Sequence, residues 1–344
     1  NTLIKNQEMG PFLQQVAIAD SYNVDAIIVQ DLSFAPLIKQ YFPTLSIHAS
    51  TQSTIMNSTA VKFWSKYVDV FVLARELTHE QVRAIYDSTH AHLETFVHGH
   101  LCISYSGQCL ISSLIGKRSG NRGLCASSCR KQYNGDTYLL SAKDLALLPY
   151  LEEVAASGVQ TIKLEGRMKP AEYVAVTTRS YREQLDILAR EGKTKVGPVQ
   201  IRKLKMAFNR EFTPGYFHGE TSIVDPLIAT NRGLFLGKVR TGVIELQEDL
   251  EVNDGVGCIN FGKMSGDYVR TIRLNGKSVS KGRQGDRVEL EVEGFQNGAT
   301  VLLTSKRDGE DVLGKPRLVY FSLLLRVCEG KVPEIVVNCM GREI

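Results

Sequence analysis

The sequence predicts an α/β fold class, and three observations predict it. Short runs rich in β-branched residues alternate with segments of helical period over residues 1–192. The alternation repeats every ~20–25 residues, the length of a βα unit. After about residue 195 the texture changes to short strands punctuated by Asn-Gly, Asp-Gly and Gly-Asp turns at 253–255, 275–276, 285–286 and 297–298. Together they describe a (β/α) TIM-like barrel lacking its N-terminal units, followed by a small all-β barrel domain.

Taken in order, the strands are expected at 1–4, 25–30, 46–50, 68–74, 94–98 and 160–165. Helices are expected at 12–21, 34–41, 60–66, 78–86, 142–156 and 171–189, most with Pro, Ser or Thr near their starts. Strand–helix alternation implies right-handed crossovers and a parallel sheet. A closed barrel of this kind has eight strands. The chain shows six and begins with Asn1 inside an apparent strand end, so two βα units are expected upstream. An open doubly wound sheet competes, but no Gly-rich dinucleotide turn follows a strand.

The domain organisation expected is a barrel at 1–192 with a Cys-rich insertion at 99–136, a linker and connecting segment at 193–233, and an incomplete β-domain at 234–344. Within the last, strands are expected at about 234–305, at 317–327 and in the closing segment 331–344. Lys193 to Val199 reads as the linker proper.

The 344 residues are 43% hydrophobic and 23% charged, which excludes disordered, collagen-like and coiled-coil classes. A net charge of +4 permits an RNA partner without demanding one. There is no long apolar run, so no membrane partner is expected, and a cytoplasmic location is the default.

Cys102, Cys109, Cys125 and Cys129 form C-x6-C-x15-C-x3-C within one stretch. Four thiolates in a loop suit an iron–sulfur cluster of the 4Fe-4S type, or a structural zinc; zinc ribbons prefer tighter C-x2-C knuckles. The radical C-x3-C-x2-C arrangement is absent. The bland alternative is four buried apolar thiols. Lys117, Arg118, Arg122, Arg130 and Lys131 make the loop basic, which suits an anionic cluster, an anionic substrate or RNA phosphate, or simply a solvated loop.

A second set lies at expected strand ends, where barrel enzymes place their chemistry. It comprises Gln30, Asp31, His48, Ser50, Gln52, Arg75, Glu76, His98, Glu165, Arg167 and Lys169. His48, Glu165 and Arg167 are the catalytic candidates, with Gln52, Arg75, His98 and Lys169 as substrate-binding ones. Arg167 suits a bidentate clamp on a small dicarboxylate. Taken singly, each is more readily a hydrogen-bonded barrel-rim residue than a catalytic one. His79-Glu80 is not completed to H-E-x-x-H, since Arg83 stands where the second His belongs, and no G-x-S-x-G elbow occurs.

The run from Glu94 through His98, Gly99, His100 and Cys102 to Gly107, Cys109 and Ser112 resembles the signature of the collagenase-like peptidase family U32. The runs 48–52, 73–77, 121–125 and 163–169 agree with it. One departure is His100, where the family usually carries Ser or Ala. The resemblance implies two further βα units upstream and a β-domain like that of translation factors. It also implies either a collagenase-like peptidase acting on peptides, or hydroxylation of tRNA, rRNA or a quinone precursor. Members of the latter kind carry an iron–sulfur cluster and use a co-substrate such as prephenate; in some the fourth ligand lies beyond the position of Cys129. Three functions are therefore expected in competition: an iron–sulfur RNA hydroxylation enzyme, a peptidase, and a noncatalytic RNA-binding factor with structural zinc.

Overall fold

The structure, a computed structural model, describes residues 1–135 and 137–306, together with the backbone of three later strands. The first sheet is built from β1 (Ala26–Val29), β2 (Ser46–Ala49), β3 (Val70–Val72), β4 (His92–His100), β5 (Asp144–Ala146), β6 (Thr161–Leu164) and β7 (Phe212–Thr213). Five of them run parallel in the order β1-β2-β3-β4-β6, following the chain without reversal. β5 pairs antiparallel with the last residues of β4, matching His98 with Ala146 and His100 with Asp144, and β7 runs parallel to β5. Among the described residues no strand closes this sheet on itself.

The intervening helices are α1 (Met9–Ser21), α2 (Ala35–Tyr41), α3 (Ser58–Trp64), α4 (His79–Thr89), α5 (Ile111–Gly116), α6 (Leu151–Ala156), α7 (Ala171–Glu191) and α8 (Pro198–Ala207). Their ends are written locally. Asn57 caps α3 by accepting from the Ala60 N–H at 2.9 Å. Thr78 and Gln81 form a reciprocal capping box on α4, whose Val82 and Ile85 turn into the core. Pro170 precedes α7 and Gly192 ends it in the left-handed region. Strand residues such as Ile47, Phe71 and Leu93 pack against these helices with at most 1% exposure. Each such buried side chain contributes about 1.5–3 kcal/mol.

Three expectations need correction. Residues 1–4 form no strand: their donors go to side chains, Leu3 N to Asn121 Oδ1 at 3.0 Å and Ile4 N to Asp31 Oδ2 at 3.2 Å, so no sheet partner is taken. The segment 142–156 is not one helix, because Asp144 N and Leu147 N bond to the carbonyls of Glu211 and Val97. That holds the chain extended as β5, and Pro149 sets the turn from which α6 starts. The linker at Lys193 to Val199 runs into α8, with Pro198 in its first turn and the Gly197 N–H donating to Gln200 Oε1. The Cys insertion, whose last expected residue Asp136 lies outside the described residues, contains the short helix α5.

The later strands are β8 (Leu234–Lys238), β9 (Ile244–Glu245), β10 (Leu250–Glu251), β11 (Gly255–Asn260), β12 (Lys263–Tyr268), β13 (Ile272–Leu274), β14 (Lys277–Val279), β15 (Lys281–Gly282), β16 (Arg287–Leu290) and β17 (Thr300–Ser305). They form two antiparallel sheets, β12-β11-β17-β8 and β14-β13-β16-β9, and a β10–β15 pair. A core separate from that of the first sheet lies among them and includes Leu236, Ile244, Cys258, Val288 and Val301. Arg202 on α8 pairs with Glu248, and Asn209 Nδ2 donates to the Gly233 carbonyl at 2.9 Å, tying the connecting segment to this layer.

Asn1–Gly309 is one compact unit and Glu310–Ile344 another. The second holds β18 (Phe321–Arg326), β19 (Glu334–Cys339) and β20 (Arg342–Glu343), antiparallel in that order. The remainder of the strand regions expected at 317–327 and 331–344 lies outside the described residues.

Candidate active site and cysteine loop

The site is organised by the end of β4. Gly99 sits at φ +113°, and a Cβ there would lie 2.8 Å from the Glu165 carbonyl oxygen. Only glycine lets the ends of β4 and β6 come this close. The Glu165 N–H completes the contact by donating to the His98 carbonyl at 2.9 Å. His98 itself turns away from any mouth. It is 1% exposed, boxed by Tyr173, Tyr181 and Phe212, and burial with the nearby Lys169 charge pushes it down to about 3. It is a neutral core imidazole at working pH.

His100 has a different environment. Its Nδ1 accepts from the Arg130 guanidinium at 2.6 Å and stands 4.0 Å from Asp144 Oδ1. Burial, then the charges of Arg130, Arg210, Arg75 and Lys169, push it down to about 2, so the ring is neutral. Asp144 is buried, takes the Arg210 N–H at 2.9 Å and pairs with its guanidinium at 3.4 Å. Burial raises its carboxyl against the opposing pull of Arg210, Lys169 and Arg130. Lys169 lies over the Phe208 ring, 2.7 Å from its centroid, and near Tyr173; burial first, then Arg210, push it down to about 8. Arg130 is pushed down to about 10, again by burial and then Arg210. Three cations thus crowd the buried Asp144 carboxylate, with Glu165 a weaker counter-charge on Lys169, and among the described residues Nε of both Arg130 and Arg210 is buried without a hydrogen-bond partner. That excess positive charge is a ready receptor for an anion.

On the sheet itself, Glu94 of β4 is buried and accepts from Lys163 Nζ of β6 at 2.9 Å. His48 Nδ1 of β2 stands 3.9 Å from the other oxygen. Burial lowers the His48 imidazole, Glu94 opposes and Lys163 assists. Among the described residues no hydrogen bond or ion pair links His48 to Glu165 or Arg167. Arg167 is instead exposed with its guanidinium against the cysteine loop, 3.6 Å from where a Cβ on Gly123 would stand.

That loop is pinned to the ends of four strands. Gln30 Oε1 accepts from Asn121 at 2.6 Å, and Gln108 donates to the Gln52 carbonyl at 2.9 Å. Glu76 takes both the N–H and the hydroxyl of Ser106, at 2.6 and 3.0 Å. Arg75 reaches the His100 carbonyl at 3.1 Å, and Arg130 binds Ser141 and the Ala142 carbonyl. Cys102, Cys109, Cys125 and Cys129 are free thiols. Burial raises Cys102 and Cys129, and Cys125 and Cys109 add to the rise in both, while Arg75 opposes it at Cys102 and Arg130 at Cys129. Cys125 Sγ accepts from the Ser127 N–H at 3.4 Å. Gly120 separates the Cys109 backbone from the Cys125 side chain. The donor set is therefore a group of thiols that repel one another when ionised, which a metal centre relieves. As placed, no three His, Cys, Asp or Glu side chains among the described residues stand close enough together to hold a metal ion.

Reasoning from sequence passed over Glu94, Lys163, Asp144 and Arg210. Glu94 and Lys163 carried a signal, since each is a charged side chain inside a strand that packs in the core sheet. Arg210 carried none, because its partner is 66 residues away.

A parallel α/β sheet with a pinned four-thiol loop and a cationic pocket at its strand ends defines the class. The profile of peptidase family U32 matches residues 1–224, and the chain belongs to that family. It is 30% identical to the uncharacterized protease MJ0090 of Methanocaldococcus jannaschii, over 85% of this chain and 79% of that one. It is 29% identical to a collagenase of Porphyromonas gingivalis, with the same two coverages. It is 39% identical to the 23S rRNA 5-hydroxycytidine C2501 synthase of Escherichia coli, over 56% of this chain and 30% of that one. Proteins named for tRNA hydroxylation also match. No helix among the described residues is long and apolar enough to cross a membrane.

Proposed function

We propose that the chain is an enzyme of RNA hydroxylation, acting on rRNA or tRNA, with an iron–sulfur cluster on Cys102, Cys109, Cys125 and Cys129. The observation that carries this reading is that Cys102 and Cys129, two thiols of the four-cysteine loop, lie within electrostatic reach of Arg130 in a pocket with surplus positive charge. The cluster, when bound, supplies one-electron chemistry. The protein's own residues bind and orient: Lys169, Arg130 and Arg210 hold the carboxylates of a small dianion such as prephenate, and the neutral Nδ1 of His100 keeps the Arg130 fork aimed. Arg167, exposed beside the loop, meets the RNA backbone or the dianion. His48 and Lys163 flank the buried Glu94 carboxylate on the sheet, Lys163 hydrogen-bonded to it and His48 at 3.9 Å. The chain-ordered, unreversed strands support an arc of a (β/α) barrel, since a doubly wound sheet reverses its order at a switch point.

The relatives' names keep peptidase activity as the second reading. It needs a nucleophile with a base, and among the described residues no hydrogen bond joins a cysteine thiol to a histidine ring. The deciding experiment is anaerobic purification with iron, sulfide and zinc analysis, followed by nucleoside mass spectrometry of RNA from a deletion strain. About four irons and four sulfides per chain with loss of a hydroxylated nucleoside is expected. One zinc with no lost modification, or gelatin cleavage abolished by a single pocket substitution, overturns it.

A further inference from the structure

The β-domain has a cleft of about 330 Å3 that the proposed chemistry does not use. It opens where β8 and β9, the outermost strands of their two sheets, meet. Its walls carry Phe235, Lys238, Arg240, Arg287, Glu245 and Gln247.

The arrangement is built by the backbone. In a regular strand residues 235 and 238 face opposite sides, because side chains alternate. The β8–β17 register shifts between Val301 and Leu302, so one extra residue sits in β8 and both Phe235 and Lys238 emerge on the exposed side. Gly237 permits it at φ +151°; a Cβ there would lie 2.6 Å from Ile244 Cγ1 and 2.7 Å from the Glu245 carbonyl. The Arg240–Val243 bridge closes a tight turn with Thr241 and Gly242 both left-handed, which puts Arg240 at the rim. Arg287 enters from β16 opposite Glu245.

Phe235 is 54% exposed, a large aromatic held out of the core. None of Lys238, Arg240 and Arg287 has a carboxylate within ion-pair distance among the described residues, Glu245 included. Three cations, one carboxylate and one presented ring remain. A strand added to these free edges by another protein would want apolar pockets for alternate side chains. A single-stranded nucleic acid wants what is here: a ring to stack a base and cations spaced to follow phosphates.

We infer that this cleft is a second RNA contact, binding a single-stranded segment with one base stacked on Phe235 and flanking phosphates on Lys238, Arg240 and Arg287. Glu245 and Gln247 face the base edge, where a carboxylate accepts from an exocyclic amine and repels a phosphate. The inference takes RNA as the partner from the proposed function and adds a site remote from the cysteine loop in sequence.

The test is fluorescence anisotropy of the full chain with an unstructured RNA 12-mer and with a blunt duplex of the same sequence, across a salt series. Phe235→Ala is expected to weaken single-strand binding about 5- to 150-fold, the range for losing one stacked base. Phe235 is exposed, and an unchanged melting temperature checks that the variant folds. Independently, Arg240→Gln with Arg287→Gln is expected to flatten the slope of log K against log salt by ~1.4, at ~0.7 per phosphate contact. Lys277→Gln, exposed on β14, is the control that leaves both unchanged. Single-strand affinity untouched by Phe235→Ala, a double-arginine variant with the slope of the control, or equal affinity for the duplex overturns the inference. Phe235-dependent binding by a chain without iron refutes the cluster and keeps this site; a hydroxylating, iron-bearing chain indifferent to Phe235 does the reverse.

Discussion

Lys169 gives the sharpest test of the anion pocket, because its ammonium is pushed down to about 8 by burial and by Arg210, against the opposing pull of Asp144. The perturbation is pH, from 6.5 to 9.5, and the assay is calorimetric titration with prephenate. With a pKa near 8, about nine in ten free pockets carry the charge at pH 7 and about one in ten at pH 9, so affinity falls by up to ~10-fold. The dianion favours the protonated amine, so it raises the pKa of the complex. Affinity is full below about 8 and is lost as pH rises through that value. Stability runs the other way. The folded pKa lies below the unfolded value of 10.5, the unfolded chain binds more protons between the two, and stability from this residue rises with pH over that window. Loss of binding near pH 9 is therefore not unfolding driven by Lys169. Lys169→Arg keeps its charge throughout and is expected to bind with a flat profile, while Lys169→Met is expected to bind weakly at every pH. A wild-type profile that is flat across this range, or an arginine variant that keeps the inflection, refutes the reasoning.

Gly99→Ala is expected to lower stability by about 1–3 kcal/mol from backbone strain alone, plus the cost of displacing the Glu165 carbonyl, read as a lower melting temperature. Asp144→Asn leaves Arg210 and Arg130 without their buried counter-charge and is expected to cost about 3–5 kcal/mol in urea denaturation. Single Cys→Ser changes at positions 102, 109, 125 and 129 are expected each to lower iron content in anaerobic preparations, whereas Cys258→Ala, in the β-domain core, leaves it unchanged. Glu8→Gln breaks the exposed pair with Arg122 and is expected to leave the urea midpoint essentially unchanged, because solvent screens the pair.

How much was legible follows from which interactions are local. Capping at Thr78 and Asn57, the apolar periods of α4 and α7 and the Asn-Gly turns are all written within a few residues, and the strands β1 to β4 and β6 were read from them. The segment 142–156 was misread because its helical period is overridden by distant carbonyls of Val97 and Glu211. Residues 1–4 read as a strand from composition, but a strand needs a neighbour, and side chains of Asn121 and Asp31 took its donors first. At the site, the four cysteines announced themselves by spacing. Lys169 was found from its place after a strand, but its partners Asp144 and Arg210 come from segments read as helix and linker. His98 looked like a mouth residue because it ends a strand; the register shift between Phe96 and His98 in the β4–β6 pairing turns it toward α7, which no local pattern records.

The pinning of the cysteine loop by Gln30, Gln52, Arg75, Glu76 and Arg130 bears on how the protein matures. In a zinc finger the metal is the fold, and a chelator unfolds the chain. Here the sheet ends hold the loop through bonds that involve no thiol, so the placement of the loop does not depend on a metal. If the proposed cluster binds, its insertion would be an event separate from folding, and a chelator would strip it without passing the chain through the denatured state.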